Sequence, residues 1–218
     1  MLPWSAMHVR IKFCGLTRAG DVEAAVALGC DYVGVIFAGG PRNRTLGEAA
    51  SILRHSGSAR RVGVFGAPHA TELNHYVTSV PLSVAQLHGD SSSKAVMAAR
   101  AIGVTEVWSV LPVVGGALRE DAHELFQCAD AVVLDTKGAN GLGGTGRSFD
   151  WVAAAAALAS VPRQARLVVA GGLTPDNVAQ AIAHLKPDVV DVSSGVESAP
   201  GVKDPILMSR FVEAVRSA

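Results

Sequence analysis

Eight apolar runs of strand length alternate with eight alanine-rich segments of helical period along this chain, and no other feature restricts its fold as much. The strand-like runs lie at 8–14, 31–37, 60–65, 84–87, 106–111, 130–135, 166–170 and 189–193. The helical segments lie at 19–28, 46–55, 70–79, 92–101, 119–127, 149–159, 175–184 and 205–216. Strict alternation of this kind builds a parallel sheet, because each crossover helix returns the chain to the same edge. Eight units in 218 residues close that sheet into a single-domain (β/α)₈ TIM barrel. Helix-start signals agree: Thr71 followed by Asn74, Pro175 after a capping Thr174, and Pro205 after Asp204. The rival is an open, doubly wound sheet, which has fewer strands and a G-x-G-x-x-G turn after the first. No such turn follows Phe13.

Composition narrows the function classes. At 49% hydrophobic residues the chain can bury one large core. Nineteen basic residues balance nineteen acidic ones without a cationic block, so nucleic acid and membrane surfaces are not expected partners. Three cysteines at wide spacing, with no C-x-x-C pair, argue against a disulfide framework and a structural zinc site, and for a reducing, cytoplasmic compartment. No run approaches the ~20 apolar residues of a membrane span. Residues 1–7 read as a short disordered extension, with Met7 an alternative start, and 8–218 as the barrel. The helical exteriors carry no large apolar stripe, so a monomer is expected over a homodimer.

Barrel chemistry sits at the carboxyl ends of the strands. There the sequence places Cys14, Gly39-Gly40-Pro41-Arg42, Gln86-Leu87-His88-Gly89-Asp90, Asp135-Thr136 leading to Gly143–Gly146, Gly171-Gly172, and Asp191-Val192-Ser193-Ser194-Gly195. The strand starts offer no comparable set. Glycines let a backbone approach an anion closely. Gly171-Gly172 and Ser193-Ser194-Gly195, on adjacent strands seven and eight, together favour a phosphate over simple tight turns. Period-two alternation turns Arg10, Lys12 and Cys14 into the barrel and Val9, Ile11 and Phe13 toward the helices. Asp135 and Asp191 also point inward. A thiol can accept a proton when neighbours favour the thiolate, and a carboxyl group against apolar walls can donate one. Alternatively Cys14 is an inert packing residue and Asp135 a helix cap. An unpaired ammonium at Lys12 would be costly, so Lys12 is expected to pair with Asp135 or Asp191 and to assist the thiolate. His88 either touches a ligand or, the favoured reading, anchors a loop. The other six histidines read as surface residues, and Cys30 and Cys128 as packing residues.

Taken together, KFCGLT, GGPR, QLHGD, VLDT with GGTGRSFDW, AGGLTPDNV and DVSSGVE-SAPGVKD resemble the phosphoribosylanthranilate isomerases of tryptophan biosynthesis, in family order from Lys12 to Asp204. The resemblance implies an enzyme without metal or organic cofactor that acts on a small phosphorylated substrate. It implies an Amadori rearrangement of N-(5-phosphoribosyl)anthranilate to 1-(2-carboxyphenylamino)-1-deoxyribulose 5-phosphate. By matching motif, Cys14 is implied as general base, Asp135 as general acid and Arg42 as the partner of the anthranilate carboxylate. Gly171, Gly172, Ser193, Ser194 and Gly195 are implied as the phosphate site, and Gly144 as part of a loop over the mouth. Asp191 is read as shaping the site. The local pattern Gly-Pro-Arg-Asn-Arg departs from the family's Ser-Pro-Arg followed by an aromatic residue, which leaves Arg44 as a competitor of Arg42. Two other readings are the sibling isomerase of histidine synthesis, which carries an aspartate on strand one, and a barrel that binds ligand without turnover.

Overall fold

A computed structural model of the chain describes residues 8–136 and 148–218. The proposed extension 1–7, and Gly143 to Gly146 with Gly144 among them, lie outside the described residues. Eight parallel strands close in sequence order: β1 (Arg10–Phe13), β2 (Tyr32–Ile36), β3 (Arg60–Phe65), β4 (Val84–Leu87), β5 (Val107–Val113), β6 (Ala131–Thr136), β7 (Arg166–Val169) and β8 (Val189–Val192). Closure is made by β1 against β8, with Lys12 opposite Asp191. The helices are α1 (Ala19–Ala27), α2 (Leu46–Leu53), α3 (Ala70–Ser79), α4 (Ser93–Ala101), α5 (Ala122–Cys128), α6 (Trp151–Leu158), α7 (Val178–Leu185) and α8 (Pro205–Arg216). The barrel expected from the alternation is the barrel found.

Alternation along each strand divides the apolar residues between two cores. Ile11, Phe13, Val33, Val35, Leu111, Leu134 and Val190 face the helices. Tyr32, Val62, Val64, Trp108, Val110, Val133 and Val168 fill the barrel interior, with Cys14 at its upper edge. Each fully buried side chain of this size contributes about 1.5–3 kcal/mol relative to exposure.

Three local expectations need correction, and one element lies outside them. Asp204 caps α8, its carboxylate accepting from the Ile206 and Leu207 N–H groups with Pro205 in the first turn. Thr174-Pro175, by contrast, precede α7 in a turn: Asn177 Oδ1 accepts from the Thr174 N–H, and the helix begins only at Val178. Thr71 lies inside α3, which starts behind the extended His69. The strand starts do carry a polar set. Glu106 accepts from Trp108 Nε1 at 2.7 Å and pairs with Arg60 and Arg166, while Arg166 also reaches the Tyr32 hydroxyl at 3.0 Å. These residues sit on neighbouring strands but far apart in sequence, so reading each strand start alone does not reveal them. A fourth difference is a β-hairpin after β8, β9 (Glu197–Ala199) against β10 (Val202–Lys203), entered through a 3₁₀ turn at Ser194–Val196.

Candidate active site

The carboxyl ends of the strands surround an open cavity of about 210 Å³. Cys14, Arg42, Gln86, His88, Asp135, Gly171, Gly172, Asp191, Ser193, Ser194 and Gly195 all line it. Arg44 does not. It turns away to Glu48 at 3.5 Å and the Pro41 carbonyl at 3.3 Å.

Lys12 is fully buried one layer below Cys14, and of the two carboxylates open to it, Asp191 takes it: Nζ to Oδ2 is 2.6 Å. Room for this layer comes from Gly34 on β2, where an added Cβ would stand 3.2 Å from Cys14 Sγ and 3.3 Å from Lys12 Cε. Burial pushes the Cys14 thiol above its ordinary value; the Lys12 ammonium opposes this, and the Asp191 carboxylate reinforces it. Burial outweighs the ammonium. Asp135, at the end of β6, is pushed up to about 6 by burial and by the nearby Asp191 charge, against the Thr136 N–H and Lys12. A carboxyl group so poised is a competent proton donor near neutrality.

His88 Nε2 stands 3.9 Å from Asp135 Oδ2, too far for a hydrogen bond. Burial and the Lys12 charge lower its pKa, which favours the neutral ring. The ring anchors no loop among the described residues. That work is done by backbone, His88 N–H to the Phe65 carbonyl and Gly89 N–H to that of Gly66, both at 2.8 Å. The favoured reading of His88 is therefore replaced by a place on the cavity wall.

The two glycine loops touch each other. Gly171 and Gly172 have φ of +78° and +68°, values that side-chain-bearing residues avoid. A Cβ on Gly171 would also stand 2.7 Å from Asp135 Oδ1. A Cβ on Gly195 would overlap the Leu173 carbonyl oxygen. Asn177 clips the first loop, donating to the Gly172 carbonyl at 2.9 Å.

Three residues escaped the sequence reading. Gln86 points inward by the same alternation that places Val84 in the interior, and its buried Oε1 has no partner among the described residues; nor has Asp191 Oδ1. Glu197 takes the Arg42 fork, Nε to Oε1 at 2.8 Å and Nη2 to Oε2 at 2.6 Å. Lys203 Nζ reaches the same Glu197 Oε1 at 2.8 Å and the Ser193 carbonyl at 2.9 Å. All three stand inside or beside motifs already quoted, so inward alternation for Gln86 was the available signal. The other two needed the hairpin.

A parallel eight-stranded barrel whose mouth gathers a thiol, a raised carboxyl group, a guanidinium and two glycine loops defines a (β/α)₈ enzyme built for proton transfer on a small anionic ligand. The model of the N-(5'-phosphoribosyl)anthranilate (PRA) isomerase family matches residues 11–214. The isomerase of Ruegeria sp. (strain TM1040) is 40% identical over 215 residues, spanning 96% of this chain and 98% of that one. The crystal structure of the Thermus thermophilus enzyme superposes with a TM-score of 0.84 at 31% identity, covering 96% and 99% of the two chains. A structure of such an isomerase in complex with reduced 1-(o-carboxyphenylamino)-1-deoxyribulose 5-phosphate superposes at 0.79 with 29% identity, covering 96% and 100%. The chain belongs to the N-(5'-phosphoribosyl)anthranilate isomerase family.

Proposed function

We propose that this chain isomerises N-(5'-phosphoribosyl)anthranilate by proton transfer between Cys14 and Asp135, with the substrate held at its two charged ends. Isomerisation of this substrate in tryptophan biosynthesis is the family's reaction, and this chain's. The observation that carries the mechanism is the cavity itself. Cys14 after β1 and Asp135 on β6 line one space, with Arg42 and the glycine loops also on its wall.

In this reading protonated Asp135 delivers its proton to the furanose ring oxygen, and the C1–O bond opens to an iminium. The cation acidifies the proton on the adjacent sugar carbon, which the Cys14 thiolate removes. The enolamine then gains a proton at C1 and loses one from the C2 hydroxyl, giving the aminoketone. The cycle closes when the proton on Cys14 returns to Asp135 through solvent. Arg42 takes the anthranilate carboxylate, for which its charge and donor geometry suit it. Gly171, Gly172, Ser193, Ser194 and Gly195 cradle the phosphate. Asp191 Oδ1 and Gln86 Oε1 are buried acceptors that suit the substrate's N–H and hydroxyl donors. His88 and Lys12 border the reacting centre without exchanging its protons. The mechanism requires no metal, because the iminium is its own electron sink. In this reading the chain works as a cytoplasmic monomer, which its three free cysteines support, as does the scatter of the exposed large apolar residues among those described: Met97, Val152 and Ile206 on three helices and Val114 just after β5.

Cys14→Ala and Asp135→Asn test the assignment. Each is expected to abolish turnover while binding of the reduced product analogue stays within a few-fold of the parent. Loss of binding with turnover retained, in either variant, overturns it.

A further inference from the structure

The hairpin β9–β10 is no part of the barrel pattern, yet it supplies the cavity's most connected charge cluster. Its two ends are register partners, Glu197 opposite Lys203. Glu197 is nearly buried and accepts from two cations at once, Arg42 and Lys203. Two cations against one carboxylate leave one positive charge. Lys203 is fully buried, whereas the Arg42 side chain is 19% exposed and lines the cavity. The surplus charge therefore reaches the ligand space through Arg42.

The geometry also fixes which edge of Arg42 is free. A guanidinium has five N–H groups, and Glu197 takes one from Nε and one from Nη2. Three remain, two on Nη1 and one on Nη2, and one from each nitrogen points along the end of the fork. That end can take a carboxylate through two parallel bonds. The stem is fixed as well: Gly15 lacks the Cβ that would stand 2.6 Å from Arg42 Cδ. The hairpin is itself tied down, with the Thr17 hydroxyl donating to the Gly201 carbonyl and the Lys203 N–H donating to Asp21 Oδ2 at 3.2 Å. Lys203 then runs on to the Ser193 carbonyl in the second glycine loop.

We infer that Glu197 is the positioning residue that presents the end of the Arg42 fork to the substrate carboxylate, and that Lys203 holds it in register with the phosphate loop. This rests on the role proposed for Arg42 and adds to it a residue that touches no substrate. Breadth of effect separates the role from plain structural support. A positioning residue changes recognition of the carboxylate alone; a structural one weakens every ligand.

The probes are the reduced product analogue and its counterpart in which the aromatic ring lacks the carboxyl group. The readout is the dissociation constant of the carboxyl-free compound divided by that of the reduced product analogue. Glu197→Gln keeps the shape and removes the charge; the ratio is expected to fall about tenfold or more. The carboxyl-free compound should bind within about threefold of the parent, and KM should rise in step with kcat little changed. Should Glu197→Gln not fold, Glu197→Asp, which keeps the charge but shortens its reach, is read by the same ratio and should lower it less. A folded variant with an unchanged ratio, or with both compounds weakened equally, overturns the inference. Arg42→Met separates the two layers of argument. If it leaves the ratio intact, the carboxylate role of Arg42 itself falls; if it collapses the ratio while the Glu197 variants do not, only the positioning role falls.

Discussion

Replacing Lys12 by methionine puts the heart of the site to the test, because this one ammonium supports both stability and the thiolate. Lys12 is fully buried with Nζ 2.6 Å from Asp191 Oδ2, and Asp191 itself is only 6% exposed. Removing the cation leaves a buried carboxylate alone, a loss of about 3–5 kcal/mol from a total stability on the order of 5–15 kcal/mol. The second effect falls on Cys14. Burial already raises its pKa, Lys12 is the largest influence acting the other way, and Asp191 adds to the rise. Without the ammonium, both remaining influences push up. Each unit of upward movement leaves about one-tenth of the thiolate, and kcat/KM at neutral pH falls in proportion.

The double variant Lys12→Met/Asp191→Asn separates the two effects. Removing a whole buried pair is close to neutral in stability, so denaturant unfolding should return to within about 1–2 kcal/mol of the parent. The thiol should stay raised, though less than in the single variant, because Lys12 outweighs Asp191 in its influence on Cys14. Thiolate absorbance followed through a pH titration, in a background with Cys30 and Cys128 replaced by alanine, reads Cys14 alone. A folded Lys12→Met protein whose Cys14 titrates as in the parent, with kcat/KM unchanged, refutes the reasoning.

The mechanism needs Asp135 protonated and Cys14 ionised, whereas Asp135 titrates near 6 and Cys14 above its ordinary value. The pH profile of kcat/KM should thus be flat between the two. Below about 6 it falls, because thiolate is lost without further gain of acid; above the Cys14 value it falls, because acid is lost without gain of thiolate. A steady decline from pH 6 upward contradicts the pairing. At the other rim, burial would raise the Glu106 pKa, but bonds from Trp108, Arg166 and Arg60 hold it below the usual range. Its contribution is full above that range and lost as pH falls through the depressed value; since both arginines reach solvent, Glu106→Gln should cost about 1–2 kcal/mol by denaturant unfolding and leave KM unchanged. Gln86→Met, which removes a buried acceptor without a partner among the described residues, should raise Tm and lower kcat/KM, and a variant with both unchanged excludes Gln86 from binding. Gly34→Ala crowds Cys14 Sγ and Lys12 Cε and should reduce kcat more than it raises KM in steady-state kinetics.

Which parts were legible in the sequence follows from the range of the interactions. Period-two alternation is local, so it located Lys12, Cys14, Asp135 and Asp191 on the inner face and gave all eight strands to within about two residues. Register is not local. The choice between Asp135 and Asp191 for Lys12 depended on β1 lying against β8 with Lys12 opposite Asp191, a consequence of closure. The Glu106 cluster gathers residues from β2, β3, β5 and β7, and the Glu197 cluster joins the loop after β2 to a hairpin after β8. Neither leaves a short-range pattern. His88 failed for a different reason: its backbone already makes the loop bonds its ring was expected to make.

The two ends of the barrel treat buried polar groups in opposite ways, and the difference explains where function resides. At the strand starts Glu106 receives donors from Trp108, Arg60 and Arg166, and the cluster is complete without a ligand. At the strand ends Asp191 spends one oxygen on Lys12 and keeps the other buried without a partner among the described residues, as Gln86 does its amide oxygen. An unmet buried acceptor costs about 1–3 kcal/mol, and the fold bears that cost where substrate can relieve it. The same economy governs Cys14 and Asp135. Burial raises the thiol's pKa and leaves it above that of Asp135, so thiolate and protonated acid are together scarce in the free protein. Those two states are the ones the proposed mechanism uses, and in it an iminium forming between them stabilises the thiolate only once the ring has opened. In the proposed mechanism the rise in the thiol's pKa is offset by the substrate's own positive charge at the step where the base is needed.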